Sequence, residues 1–109
     1  MCAMQSGWPP LALVISPADY ISAYSSSSPI TAGPATAVVT GGSGTFIYYW
    51  QQLSGDGMTI TNPVAASTSF TATGLGFGFS KEGNFQVTVT DTVTSQSIAA
   101  EVYVYVERT

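Results

Sequence analysis

Six carboxylates, two cations, one thiol and no histidine make up the ionisable chemistry of this chain apart from its tyrosines. The carboxylates are Asp19, Asp56, Glu82, Asp91, Glu101 and Glu107; the cations are Lys81 and Arg108; the thiol is Cys2. Imidazole is the usual proton carrier near neutral pH and a frequent transition-metal ligand. Its absence removes the Ser-His-Asp, Cys-His and His-metal constellations together. The many serines lack a base to activate them, and no Ser-x-x-Lys arrangement supplies one. Glu82, Glu101 and Glu107 are material for a glycosidase-type carboxylate pair. However, Glu101 and Glu107 fall on one exposed face of an extended strand, about 20 Å apart at about 3.3 Å per residue. No enzyme is expected, no catalytic residue is assigned and no cofactor is expected.

Two loop features invite a ligand reading and are better explained as turns. Gly41-Gly42-Ser43-Gly44 exposes backbone N–H groups, but a phosphate cradle is followed by a helix start and usually a lysine; here a strand pattern follows and no lysine is near. Asp56, with Asp19 or Asp91 near a loop end, lacks the dense Asp-x-Asp-x-Asp spacing that builds a calcium site. Turn capping is the expected role of these aspartates, and no metal site is expected.

The remaining candidates are aromatic. Tyr103 and Tyr105 fall on the polar face of the last strand, opposite a valine stripe, and Tyr49 falls on the outward face of the Trp50 strand. Tyrosine suits an interface because it buries a large ring while its hydroxyl stays wet, although it also suits any exposed strand position. Trp8, beside Pro9-Pro10, is a large apolar anchor on an N-terminal arm that could lie across a neighbouring subunit. Cys2 has no internal disulfide partner and is expected to be a spectator thiol on that arm.

The elements that must position these residues are strands. The chain has 109 residues, the size of one domain, with 45% hydrophobic and 12% aromatic residues. That supports a core of roughly a dozen large side chains at about 1.5–3 kcal/mol each, without a disulfide or metal staple. Leu11 to Ile15 is a short apolar run closed by Ser16-Pro17, and Asp19 to Tyr24 is a second extended segment. Alternation then recurs in Pro34 to Thr40, Thr45 to Leu53, Thr68 to Thr73, Phe85 to Thr90 and Ile98 to Glu107, with a short strand at Met58 to Thr61. Ser54-Gly55-Asp56-Gly57 contains the Asp-Gly pair of a hairpin turn. No window holds a 3.6-residue apolar period free of Gly and Pro, so helix is expected to be almost absent. The pattern describes a two-sheet antiparallel sandwich over residues 11–109, preceded by an extended arm at residues 1–10; a small closed barrel gives the same spacing.

Charge narrows the partners. Only 7% of residues are charged and the net charge is −4. Two cations cannot neutralise a run of phosphates, so no nucleic-acid partner is expected. The longest apolar run is far short of the roughly 20 residues of a membrane span, so no membrane partner is expected. No lysine or arginine precedes that run, so a secretory leader is not expected, and the first methionine suits an initiator.

Three pieces in order carry a family resemblance: Gly41 to Trp50 (GGSGTFIYYW), Ser54 to Gly57 (SGDG) and Gly83 to Asp91 (GNFQVTVTD). Over residues 34–107 the chain resembles the Ig-like and PKD-like β-sandwich modules, with their Tyr-x-Trp strand, Gly-Asp-Gly turn and late Val-x-Val-Thr-Asp strand. In the sandwich module that the chain resembles, the strand of Thr88 lies between the Trp50 strand and the last strand, which implies one surface patch of Tyr49, Thr88, Tyr103 and Tyr105. The two bridging cysteines of antibody domains are missing, which points to cysteine-free relatives. In style it is similar to the modules of tailed-bacteriophage virion proteins. That resemblance implies a non-enzymatic structural accessory protein, of capsid-decoration or head-fibre type, located on the virion and assembled in the host cytoplasm. It implies contacts with phage coat protein, another virion protein or a second copy of the chain. The alternative is a cell-surface or secreted adhesion or carbohydrate-binding module, whose exposed aromatics would stack on a host-surface glycan.

Overall fold

In the late Val-x-Val strand, Phe85, Val87 and Val89 are buried, and Gln86, Thr88 and Thr90 between them are half-buried on the opposite face. This two-residue period recurs through the molecule, because successive side chains of a strand point to opposite faces. The computed structural model describes residues 8–109, and among them there is no helix. Eight strands follow in order: β1 (Ala12–Ser16), β2 (Tyr20–Ser25), β3 (Ile30–Thr40), β4 (Phe46–Gly55), β5 (Thr59–Ile60), β6 (Ser67–Ala72), β7 (Ser80–Asp91) and β8 (Ser97–Arg108). They form two four-stranded sheets, ordered β1-β3-β6-β5 and β2-β8-β7-β4, in a β-sandwich-like arrangement.

The core sits between the sheets. Trp50 on β4 meets Phe70 on β6 edge-on at 6.0 Å, and Phe70 meets Phe85 on β7 at 4.4 Å, so three aromatics join the two layers. Edge-to-face geometry places the positive rim of one ring against the negative face of the next. Trp50 Nε1–H donates to Ala65 O at 2.8 Å, which satisfies the indole where it is buried. Val102, Val104 and Val106 of β8 complete the second sheet's inner face, with Ile98 and Ala100 half-buried beyond them.

Three expectations need correction. First, the sandwich is not wholly antiparallel: β2 lies parallel to β8, from Tyr20 opposite Tyr103 to Ser25 opposite Arg108. β1 pairs with β3 in the first sheet, and Pro17, which has no N–H for a ladder, ends it. Residues 13–15 of β1 border the same groove as residues 99–101 of β8, and β2 then runs beside residues 103–108. The chain therefore changes sheets without changing direction. Second, Asp56-Gly57 is not a hairpin turn, because β4 and β5 lie in different sheets. Its bonds go to β7: Asp56 N–H donates to Glu82 O at 2.7 Å, and Glu82 N–H donates to Asp56 Oδ2 at 3.0 Å. Gly55 has φ +96°, and a Cβ there would run into the Glu82 carbonyl oxygen, so only glycine lets this crossover lie against β7. Third, β3 begins at Ile30 and runs through Gly33-Pro34. The register shifts between Ala32 and Ala35, which leaves Pro34 in an irregularity without a ladder bond to give.

The Gly41–Gly44 segment is a turn held by a buried carboxylate. Ser43 N–H donates to Asp91 Oδ2 at 2.6 Å, Ser43 Oγ–H to Oδ1 at 2.7 Å, and Val93 and Thr94 N–H to Oδ1 at 2.9 and 3.1 Å. Asp91 thus ties the β3–β4 turn to the β7–β8 turn. Of the expected arm, residues 1–7, with Cys2, lie outside the described residues. Within it, Pro9 O accepts Gly42 N–H at 2.8 Å.

Candidate functional site

The outward face of the second sheet is built in rows across its strands. Tyr49 on β4 stands opposite Thr88 on β7, and Thr88 opposite Ala99 on β8. Two residues along, Gln51, Gln86 and Glu101 form the next row, with Gln51 Nε2–H donating to Gln86 Oε1 at 3.3 Å. Beyond it Asn84 stands opposite Tyr103, and Tyr103 opposite Tyr20 of β2; then come Glu82, Tyr105 and Ser22.

All five residues singled out in the sequence can be placed on this framework. Tyr49 and Thr88 are cross-strand partners, and Tyr49 is 53% exposed. Tyr103 and Tyr105 share the same outward face but are half-buried and lie four and six positions further along β8 than Ala99, which is about 13 and 20 Å. Trp8 is exposed beside Pro9, at the turn end of the molecule. The four-residue patch therefore divides into a Tyr49–Thr88 pair and a separate tyrosine cluster.

Tyr20 and Tyr24 of β2, which are not among the residues the sequence singles out, complete that cluster. Tyr20 stacks on Tyr103 with ring centroids 5.4 Å apart and planes 14° from parallel, and Tyr24 tilts against Tyr105 at 6.1 Å. The spacing Tyr20-x-x-x-Tyr24 matches the outward period of a strand, which is the signal that was available. Tyr103 OH donates to Glu82 Oε2 at 2.6 Å and Tyr105 OH to Glu107 Oε1 at 2.9 Å. The bond to Glu82, then burial and the Glu82 charge, push the Tyr103 phenol up to about 12. A bond to Ser80 works to lower Tyr105, but the bond to Glu107, burial and the Glu107 charge outweigh it and raise that phenol. Both hydroxyls remain protonated donors at neutral pH.

The cations do not balance this acidic, aromatic surface. Lys81 Nζ donates to Thr73 O at 2.8 Å, and Arg108 donates from Nη1 to Leu75 O at 2.8 Å and from Nε to Ser26 O at 3.2 Å. The Arg108 guanidinium also covers the Phe77 ring at 3.9 Å. On the other sheet, none of the strands β1, β3, β5 and β6 contains a charged residue. Its outer face presents Val14 opposite Val38, and hydroxyl pairs Thr31–Thr71 and Thr36–Ser67, each at 3.0 Å. Among the described residues no group of three or more acidic, cysteine or histidine side chains is placed to hold a metal ion. The sheet surfaces offer stacking, hydrogen bonding and apolar contact, the means by which proteins recognise other surfaces.

No protein-family model and no curated protein sequence matches the chain. A solved structure similar to it is that of a nucleoside hydrolase-related hypothetical protein from Saccharophagus degradans that is associated with carbohydrate metabolism. The two share a TM-score of 0.61 at 18% identity, over 89% of this chain and 25% of that one. The chain thus spans about a quarter of that protein's length, and the likeness is one of fold.

Proposed function

We propose that this chain is a non-enzymatic structural accessory protein of a tailed-phage virion, an Ig-like/PKD-like module of capsid-decoration or head-fibre type. It acts by surface contact with coat protein, another virion protein or a second copy of itself. The observation that supports this most is the distribution of charge: one whole sheet has no charged residue in its strands, and both described cations are held on backbone carbonyls. A free monomer is kept soluble by interspersed charge, whereas a subunit that buries its faces in an assembly does without it. The virion assignment rests on the resemblance of the Tyr-x-Trp, Gly-Asp-Gly and Val-Thr-Asp segments. Quantifying the chain in purified phage particles tests it, with a fixed ratio to coat protein as the expected result.

The tyrosine cluster favours a second reading, an adhesion or carbohydrate-binding module. Tyr20, Tyr24, Tyr103 and Tyr105 stand beside Glu82 and Glu107 on one face, the pairing of rings and hydrogen-bonding groups that suits a sugar. A glycan-array signal lost in Tyr103→Ala would support this reading over the first.

A further inference from the structure

β8 is twelve residues long, and its two sides are not equally covered. β7 pairs with it from Ser97 to Glu107, but β2 covers its other side only from Tyr103 to Arg108. Among the described residues, Ser97–Val102 therefore has no hydrogen-bonded partner strand on that side, where β1 of the other sheet lies across a groove. The direction of its backbone groups follows from the bonds around it. Asp91 N–H donates to Gln96 O and Arg108 N–H to Phe79 O, so the even-numbered residues of β8 bond to β7. Tyr103 N–H donates instead to Asp19 O and Thr109 N–H to Ser25 O, so the odd-numbered ones face away. Ala99 and Glu101, both exposed, accordingly direct their N–H and C=O groups to the uncovered edge. Beside that edge lies a groove of about 620 Å³, lined by Leu13 and Ile15 of β1, Asp19, Gln86, Ala99 and Glu101.

We propose that this edge accepts an added strand, and that the strand is the N-terminal segment, residues 1–7, of a second copy of the chain. An unpaired edge without proline or lysine is a template for strand addition. Asp19 and Glu101 make the groove acidic, which disfavours a guest that brings further carboxylates. Pairing β8 with β8 of a second copy would gather two Asp19 and two Glu101 side chains, whereas residues 1–10 hold no charged residue. Seven extended residues span about 23 Å, against about 20 Å for the six-residue edge. Their alternation offers Cys2 and Met4 on one side, matching Leu13 and Ile15 in the groove. The segment starts at the right end: Pro9 is bound to Gly42, whose turn is held by Asp91, and Asp91 bonds to Gln96 just before the open edge. Pro9 and Pro10 fix φ near −65° and disfavour the reversal that pairing within one molecule would require.

This deepens the reading of the chain as an assembly subunit, and it fails separately, because it is read on the purified protein without any particle. Sedimentation of the full chain under reducing conditions, with amide hydrogen exchange at Ala99 and Glu101, tests it. The expected result is concentration-dependent association, with both amides slowed roughly tenfold at ten times the dissociation constant. Two variants, deletion of residues 1–7 and Glu101→Pro, are each expected to restore a monomer with rapid exchange at Ala99. The Glu101 N–H faces away from β7, so proline there removes a donor only from the open edge. A full chain that stays monomeric, or protection at Ala99 and Glu101 that does not depend on concentration, overturns the proposal. Association that survives the deletion assigns the edge to another occupant, and association that survives Glu101→Pro places the contact elsewhere; either result overturns it.

Discussion

Tyr20 on β2 and Tyr103 on β8, 83 residues apart in the chain, lie ring against ring with centroids 5.4 Å apart and planes 14° from parallel. The parallel pairing of β2 with β8 puts them in register, and the Glu82 carboxylate holds the Tyr103 hydroxyl from the neighbouring strand. In Tyr20→Ala the stack is lost while the inward Ile21 is untouched, so the fold is retained and the melting temperature falls by a few degrees. If this face contacts a particle, the same substitution weakens binding by roughly tenfold or more, the ordinary effect of removing an interface tyrosine.

The Tyr103 phenol is held up at about 12 by Glu82, against 10.0 for an unperturbed tyrosine. Because the folded value lies above the unfolded one, its contribution to stability is present below pH 10 and is lost as the pH rises through about 12. Ultraviolet titration of phenolate absorbance is expected to show a late component that moves toward 10.0 in Glu82→Gln.

Asp91 behaves in the opposite sense. Burial works to raise its pKa, but the Ser43 N–H and hydroxyl and the Thr94 and Val93 N–H groups outweigh this and lower it from 3.8 to about 2. The unfolded chain takes up the proton first, so the stabilisation present above about pH 4 disappears as the pH falls toward about 2. Denaturant midpoints measured down this range are expected to fall steeply, and Asp91→Asn is expected to lower the neutral-pH midpoint and flatten the acid limb.

Phe70 joins the two sheets by touching both Trp50 and Phe85, and it is fully buried. Phe70→Ala opens a cavity between the layers and is expected to cost about 3–5 kcal/mol in chemical denaturation. An exposed aromatic such as Phe77 has no such role in the core. Phe77→Ala is expected to change stability only slightly, by loss of the Arg108 contact.

These relationships differ in how far they could be read from the chain. The alternation around Trp50, Phe85 and Val104 placed the inner faces, because burial on a strand repeats every second residue and that period is local. That the Val-Thr-Asp strand lies between the Trp50 strand and the last strand was implied by the family resemblance and not by the period, which says nothing of which strands pair; β4 and β8 do flank β7. Tyr20 and Tyr24 could not be joined to Tyr103 and Tyr105 in that way. Their meeting depends on β2 leaving the first sheet at Pro17, a choice made by partners more than 80 residues downstream. Asp56-Gly57 misled for a related reason: the dipeptide permits a tight turn, but the bonds from Asp56 to Glu82 decide which strand it serves. Asp91 was legible as a turn-capping residue. That it would cap two turns at once needed the fold.

The proposed role requires that a surface so poor in charge be covered within a virion. Quantitative mass spectrometry of tailed-phage particles, purified from the lysate of the host that makes the chain, tests this most directly. The chain is expected in the particles at a fixed ratio to coat protein, with the ratio falling in Tyr20→Ala or in a variant lacking residues 1–7. Particles that form and purify without the chain, together with a glycan-array signal that Tyr103→Ala abolishes, would contradict it.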